Sequence, residues 1–528
     1  MNTDALRKKI LDLAIRGKLV PQDPDDEPAS VLLECIRTEK QQMVKDGKLK
    51  KKDIKNDTVI YVGEDNLHYE KFQDGTVKCI EDEIPFELPE GWCWTRLASI
   101  CIKVTDGTHH SPENYPTGEY KYITAKNVKS DGVLLDDITY VASDVHKEIF
   151  ARCNPEFGDI LYIKDGATSG IATVNTLREE FSMLSSVALL KPAQGIDNWY
   201  MCYAMQSPYF YATTRGDMKG VGITRITLNM LTSRLIPIAP KIEQQRISIK
   251  VRELICLVTN IESDKNNIIK VIANTKRKIL DLAIRGELVP QNPDDEPASV
   301  LLERIRAEKE ELIKQGKIKR DKKESVIFKG DDNSYYEKLF NGKANCINEQ
   351  LPFELPEGWE WTRLGCISDA IQYGLSNSAE TFGDYRLLRI TDIQDGHVDW
   401  DSVPFTSIDE PEKYLLHKND IIFARTGATV GKSFFITDLP YASVYASYLI
   451  RIRLMRGISP NYVYQFFNSN CYWKQVTSKA VGVGQPNCNG TSLKKLFVPL
   501  PSKAEQQRIV NKISELFESL GCVEESLN

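Results

Sequence analysis

Residues Lys241–Arg285 read KIEQQRISIKVRELICLVTNIESDKNNIIKVIANTKRKILDLAIR, 45 positions without a single Gly or Pro. Pro240 precedes the run, Gly286 closes it and Pro290 follows, the punctuation of a helix start and stop. Apolar residues recur at Ile247, Val251, Leu254, Val258, Ile261, Ile268, Ile272, Ile279 and Leu282, in steps of four and three that skip only Lys265 and Thr275. That spacing is a heptad seam rather than the alternation of a strand. At 1.5 Å per residue the helix would extend about 68 Å. A seam of that length cannot be buried alone, so the helix needs a partner.

The partner follows from an internal repeat. KKILDLAIRGKLVPQDPDDEPASVLLECIRTEK, ending at Lys40, returns as RKILDLAIRGELVPQNPDDEPASVLLERIRAEK, ending at Lys309. IPFELPEGWCWTRL (Ile84–Leu97) returns at Leu351–Leu364, GDILYIKDGATSG (Gly158–Gly170) at Asn419–Gly431, and PIAPKIEQQRI (Pro237–Ile247) at Pro499–Ile509. A period of roughly 265 residues is that of two domain-sized units, not of a solenoid. The repeat is circularly closed. Glu505–Leu527 matches the first half of the long helix, with Ile509, Ile513, Leu516, Leu520 and Val523 on the seam. The segment from Met1 matches its second half, with Leu6, Ile10 and Leu13 on the seam. The two chain ends are therefore expected to build a second, split copy of the helix, antiparallel to the first, with Ser502-x-x-Glu505 as a capping box.

Between helices each copy has a body of short β-branched and aromatic runs separated by Gly, Asn and Asp turns, which reads as mainly β or α+β. The expected organisation is a split-helix half over 1–20, a helical and charged connector over 21–83 and a first body over 84–240. The central helix follows over 241–288, a second connector over 289–350, a second body over 351–501 and the other split-helix half over 502–528. The fold class is α+β: two pseudo-twofold-related bodies joined by two long antiparallel coiled-coil helices. The helix ends and the segments after them are nearly identical in the two copies, whereas the middles of the bodies barely align. Matching outer surfaces suit two copies of one partner; differing bodies suit a target whose halves differ.

Composition narrows the class. With 528 residues, 41% hydrophobic and 27% charged, this is an ordinary globular chain. No apolar run approaches a membrane span and MNTDALRKK lacks a signal-peptide core, so the expectation is cytoplasmic. Twelve cysteines contain no C-x-x-C pair and six histidines offer no ligand spacing, so no metal site is expected. The net charge of −6 argues against simple nucleic-acid binding. Yet from Leu439 to Ala504 there are eight basic residues and no acidic one, interleaved with Tyr462, Tyr464, Tyr472 and Trp473, a candidate phosphate-facing surface.

In this order and in duplicate, the E-Q-Q-R-I segments at Glu243–Ile247 and Glu505–Ile509, the ELPEGW-x-W entries, the G-A-T-x-G blocks and D-G-T-H-H-S-P at Asp106–Pro112 carry a family resemblance. Over essentially its whole length the chain resembles the specificity subunit of a type I restriction–modification enzyme. The resemblance implies two target-recognition domains in inverted orientation on two long helices. Each domain would read one half of a split site in double-stranded DNA, and the helices would set the spacer. It implies as partners two methyltransferase subunits and two ATP-dependent motor–nuclease subunits. S-adenosylmethionine, ATP and Mg are expected in those partners; no cofactor and no catalytic residue is expected here. The helix reach corresponds to on the order of two turns of B-form DNA. The alternatives are an assembly hub whose bodies bind protein, and the specificity subunit of a methylation-only complex.

Rival chemistries fit poorly. Gly427-Ala-Thr-Val-Gly431-Lys432-Ser433 has three residues between its glycines where a phosphate loop needs four, and Gly166–Ala172 has no Lys-Ser. No N-P-P-aromatic or D-P-P-aromatic methyltransferase motif occurs; Asn154-Pro155-Glu156 and Asn292-Pro293-Asp294 lack the second proline. The reading candidates are polar residues on loops and strand exits at matching places. In the first body these are Thr108, His109, His110, Lys121, Lys126, Asn127, Lys129, Lys164, Lys219 and Arg225. In the second they are Gln372, Tyr373, Ser376, Asn377, Arg386, Arg389, Thr391, Arg425, Thr426, Lys432, Lys479, Gln485 and Asn487. Arg225 and Asn487 fall at one aligned position, Arg suiting guanine and Asn adenine.

Overall fold

The computed structural model describes residues 2–216, 225–318, 320–321, 324–339, 342–394, 396–479 and 488–527. Lys241–Arg285 is one uninterrupted helix. The chain divides within it, into units Met1–Lys265 and Asn266–Asn528.

In the first unit the leading half of the long helix is partnered by the N-terminal helix Thr3–Ile15, whose Ile10, Leu11 and Ala14 share one core with Ile247, Val251 and Val258. Arg7 ties the two by an ion pair to Glu262 at 2.8 Å and a hydrogen bond to Thr259 at 3.1 Å. In the second unit the trailing half is partnered by the C-terminal helix Lys503–Ser526, with Ile279, Leu280 and Ala283 beside Ile509, Val510 and Ile513. Lys276 meets Glu524 there at 2.8 Å. The seam is not buried evenly: Ile261 and Ile268, nearest the midpoint, are 38% and 40% exposed.

The two bodies barely align in sequence, yet their strands follow one plan. In the first, a four-stranded antiparallel sheet runs Ala172–Val174, Ile160–Ile163, Val187–Pro192, Cys101–Asp106. Its counterpart runs Ser433–Phe435, Ile421–Ala424, Leu449–Leu454, Ser368–Tyr373. Beside it, Tyr120–Ile123 pairs parallel with Phe181–Met183 and antiparallel with Thr139–Val141. Tyr385–Leu388 likewise pairs parallel with Ser443–Tyr445 and antiparallel with Phe405–Thr406. Each body's entry strand pairs with its exit strand, Cys93–Arg96 with Leu235–Ile238 and Glu360–Arg363 with Phe497–Leu500, so the chain leaves where it came in and enters the next helix directly. The divergence lies in side chains and loops. Helix Ser143–Arg152 of the first body is replaced in the second by a single turn, Pro411–Lys413.

The segments read from sequence as charged connectors hold more order than that reading implies. After helices Ala29–Lys45 and Ala298–Lys314 come three-stranded meanders, Val59–Cys79 and Ser325–Cys346. Their first turns pass through left-handed Asn66 (φ 62°) and Asn333 (φ 61°), conformations that Asn tolerates better than most residues. The charges that masked them are paired: Arg96 clasps Glu70 and Glu83, and Arg363 clasps Glu337.

The E-Q-Q-R segment, which carries much of the family resemblance, is a fastener. Buried Glu243 accepts a hydrogen bond from the Trp92 indole of the ELPEGW turn at 2.9 Å. The Gln244 side chain accepts from the Asp197 N–H, at the start of helix Asn198–Gln206, and donates to Ala239 O; Arg246 pairs with Asp26 of the Pro-Asp turn. Glu505, Gln506 and Arg508 repeat every contact, on Trp359, Ser459 with Pro501, and Asp295. The expected capping box is therefore half formed. Ser502 caps Glu505 N at 3.0 Å, while the Glu505 carboxylate turns inward to Trp359.

Burial holds the Glu243 and Glu505 carboxyls above the ordinary carboxylate range, against the indole N–H, which favours the charged form. A carboxyl raised on folding contributes stability at pH below its unfolded value, and that contribution is lost as pH rises through the folded one. Glu243→Gln keeps an acceptor for Trp92 and removes the charge. The variant is expected to gain on the wild type in thermal midpoint between pH 5 and pH 8. An identical difference at both pH values would show that the buried charge costs nothing.

Candidate nucleic-acid interface

In each body three chain segments converge at one end of the four-stranded sheet. They are the exit of the first sheet strand, the G-A-T turn, and the residue that leaves the glycine-rich segment. In the first body Ile226 N donates to Lys164 O at 3.0 Å, and in the second Cys488 N donates to Arg425 O at 3.0 Å. The strand exits are held close by glycines without room for a side chain. A Cβ on Gly107 would lie 1.9 Å from Met183 O, and one on Gly374 2.2 Å from Tyr445 O. The G-A-T-x-G blocks need glycine twice. Gly166 and Gly427 turn with φ of 87° and 74°, while Gly170 and Gly431 pack against Tyr211 and Trp473. They form tight turns against a helix.

The first body's convergence is a charge network. Asp106, 3% exposed, meets Arg152, and its other oxygen lies 3.4 Å from Lys164 Nζ. Lys164 also lies 3.6 Å from Asp165, which holds Arg225 at 3.0 Å. His109 sits on the rim, 3.3 Å from Asp106 and 3.1 Å from Arg152. His109, His110 and Arg225 are exposed, and Thr108 closes the turn by hydrogen bonds to His110. Lys164, expected on the DNA face, is instead buried between two carboxylates. Asn127 is also interior: its amide closes the Thr124–Asn127 turn and donates to Leu134 O, which leaves no free edge for a base. Lys121 is paired with Glu179 at 2.8 Å; Lys126 is exposed and Lys129 half-buried.

The second body fills the same places differently. Tyr373 stands where Asp106 does and Thr426 where Asp165 does. Arg425 lies over the Tyr373 ring at 4.9 Å, and the Tyr373 hydroxyl accepts from Gly490 N at 2.7 Å. Ser376, Asn377, Thr391 and Lys432 are exposed; Asn377 bonds Ser407 O. Gln372 accepts from Arg451, Arg389 is bidentate on Asp392, and Arg386 stacks on Phe405 while donating to Val403 O. Those three are engaged within the body. Lys219, Gln485 and Asn487 lie outside the described residues, as does the Lys479 side chain.

The acid-free run from Leu439 to Ala504 proves less of a phosphate surface than its composition implies. Arg451 is 3% exposed and bonds Lys413 O and Leu415 O; Arg453 meets Asp420 and His417; Lys494 meets Asp321. The counter-charges come from earlier in the chain and are brought in by folding. Sequence reading missed Asp106, Asp165 and Arg152 in the first body and Tyr448, 60% exposed beside Arg425, in the second. An Asp in D-G-T-H-H was visible as a signal for the first; nothing marked Tyr448.

Among the described residues no group of three or more His, Cys, Asp or Glu is placed to hold a metal, and no helix is long and apolar enough to cross a membrane.

The model for the type I restriction modification DNA specificity domain matches residues 356–527. The type I restriction enzyme EcoAI specificity subunit of Escherichia coli is 31% identical, over 97% of this chain and 89% of its own length. The EcoEI specificity subunit of Escherichia coli is 27% identical over 97% and 88%. Among solved structures, a chain from work on complex assembly and conformational transition of the type I R-M system shares the fold. Its TM-score is 0.51 at 16% identity, covering 84% of this chain and 94% of that one.

Proposed function

The chain belongs to the specificity subunits of type I restriction–modification systems, the non-catalytic components that recognise DNA sequence, and we propose that each of its two bodies reads one half of a bipartite, asymmetric site. One observation carries the reading: the same three segments converge in both bodies on one strand plan, with different side chains at equivalent places. Two halves built alike but lined differently suit two half-sites of different sequence. In this reading the long helices fix the spacer. The near-identical Pro-Asp turns and helices Ala29–Lys45 and Ala298–Lys314 offer matching surfaces to two methyltransferase subunits, with motor–nuclease subunits joining for cleavage. S-adenosylmethionine, ATP and Mg then serve the partners, which carry out adenine methylation or ATP-dependent cleavage. This chain supplies the address.

A helical insertion next to Asn266, within the polar stretch Glu262–Asn267, tests the division of labour. A seven-residue insert preserves the heptad phase and adds about 10 Å of helix. Methylome sequencing of a host carrying the chain with its partner genes is expected to return the two original half-sites at an altered spacing. Altered half-site sequences at the original spacing would refute the assignment. A partnered wild-type chain that directs no sequence preference would refute the reading as a whole.

A further inference from the structure

Lys164 and Arg425 occupy one place in the strand plan, each following the second sheet strand and opening the G-A-T turn. Their surroundings are not equivalent. Lys164 is buried, with Asp106 and Asp165 on either side. Arg425 has Tyr373 and Thr426 at those two places, and among the described residues no carboxylate pairs with it. Residues 480–487, AVGVGQPN, contain no acidic residue in sequence. The Arg425 Nε is buried and has no hydrogen-bond partner. Its backbone is held at both ends, N–H to Tyr448 O at 3.1 Å and C=O from Cys488 N at 3.0 Å. Its guanidinium lies on a ring that Gly490 pins by the hydroxyl.

A planar cation stacked on an aromatic ring, with no carboxylate paired to it among the described residues, suits a planar pair of acceptors. On the major-groove edge of DNA that pair is guanine O6 and N7. Resting on the DNA-reading function above, we propose that Arg425 is the guanine-reading residue of the second body, with Tyr373 as its positioning residue, and that the aligned Lys164 is a structural counter-ion which reads no base. Equivalent positions in the repeat would then do unequal work.

The test uses the chain assembled with its methyltransferase partner, on duplexes carrying the wild-type bipartite site with single base-pair changes. For the wild type, one guanine in one half-site is expected to lose roughly 10- to 100-fold in affinity when replaced by adenine or by 7-deazaguanine. In Arg425→Ala that discrimination is expected to vanish at that position alone, and in Arg425→Lys, which keeps a donor but loses the planar fork and the stacking, to fall several-fold there. Undiminished recognition at the other positions of the same half-site serves as the check that the second body of each variant folds. Equal weakening on every sequence, with a salt slope reduced by about one, would make Arg425 a phosphate contact and overturn the assignment. Full discrimination retained by Arg425→Lys would overturn it too. A wild-type assembly without any sequence preference would overturn both this and the DNA-reading function.

Discussion

Replacing Trp359 by alanine is expected to cost the second unit about 3–5 kcal/mol of unfolding free energy. Trp359 is 5% exposed, so truncation removes a large buried ring and leaves a cavity. It also removes the donor that faces the Glu505 carboxylate, whose other oxygen already has no hydrogen-bond partner. A buried carboxylate stripped of its donor adds a desolvation penalty to the cavity. Trp359→Phe separates the two effects. It retains most of the ring and loses only the indole donor, for about 1–3 kcal/mol. Urea unfolding of the full chain, followed by hydrogen exchange in each unit, reads both numbers and locates them. If phenylalanine cost as much as alanine, the hydrogen bond rather than packing would dominate the fastening. If neither variant lowered stability, the joint between helix and body would have to reside elsewhere.

The largest functional effect is expected from Gly374→Ala. The added methyl would lie 2.2 Å from Tyr445 O and 2.4 Å from Ala446 O. Both obstacles are backbone, so no rotamer change relieves them. The strand exit must lift, breaking the Leu375 N to Tyr445 O and Ser447 N to Leu375 O hydrogen bonds. Tyr373 then leaves both Arg425 and Gly490. Each lost base contact is worth about 1–3 kcal/mol, so losing two or more predicts a fall of at least roughly 30-fold for the half-site that the proposed reading assigns to the second body. Recognition of the other half-site should persist, because its own glycine, Gly107, is untouched. Gly521→Ala is the control: nothing lies within 4 Å of its Cβ, and removing a glycine from a helix should add about 0.5–1 kcal/mol. Binding by the partnered chain to duplexes altered in one half-site at a time measures this. A Gly374→Ala chain that still distinguishes both half-sites would show that the strand exit is not part of the reading surface.

The long helix was legible from sequence because its signals are local: apolar spacing, a proline before it and a glycine after. The split partner was legible for a different reason, since the repeat relates segments that no local pattern connects. What stayed hidden depends on contacts distant in the chain. Nothing in E-Q-Q-R says that Glu243 meets a tryptophan 151 positions earlier, and the glutamate at the third helical position reads more naturally as a cap. Val59–Cys79 passed as a charged connector because Arg96, which neutralises Glu70, lies outside it. The acid-free run failed as a guide for the mirror-image reason, Arg451 and Arg453 being answered by Asp420. The shared strand plan of the two bodies was invisible because backbone pairing tolerates almost any side chain on strands this short. Lys164 and Asn127 look from sequence like any polar residues near a turn; only burial separates them from Arg225 and Lys126.

Each fastening described above closes on its own side of Lys265. The first unit holds its own Glu243–Trp92 joint, its own Arg246–Asp26 pair and its own short helix against the long one, and the second holds a matching set. A genetic crossover in the polar middle of the helix would therefore hand on a complete packing set with whichever body it carried. On the proposed reading, exchanging one half of such a chain would change one half of its target in a single step, where single substitutions would change it base by base.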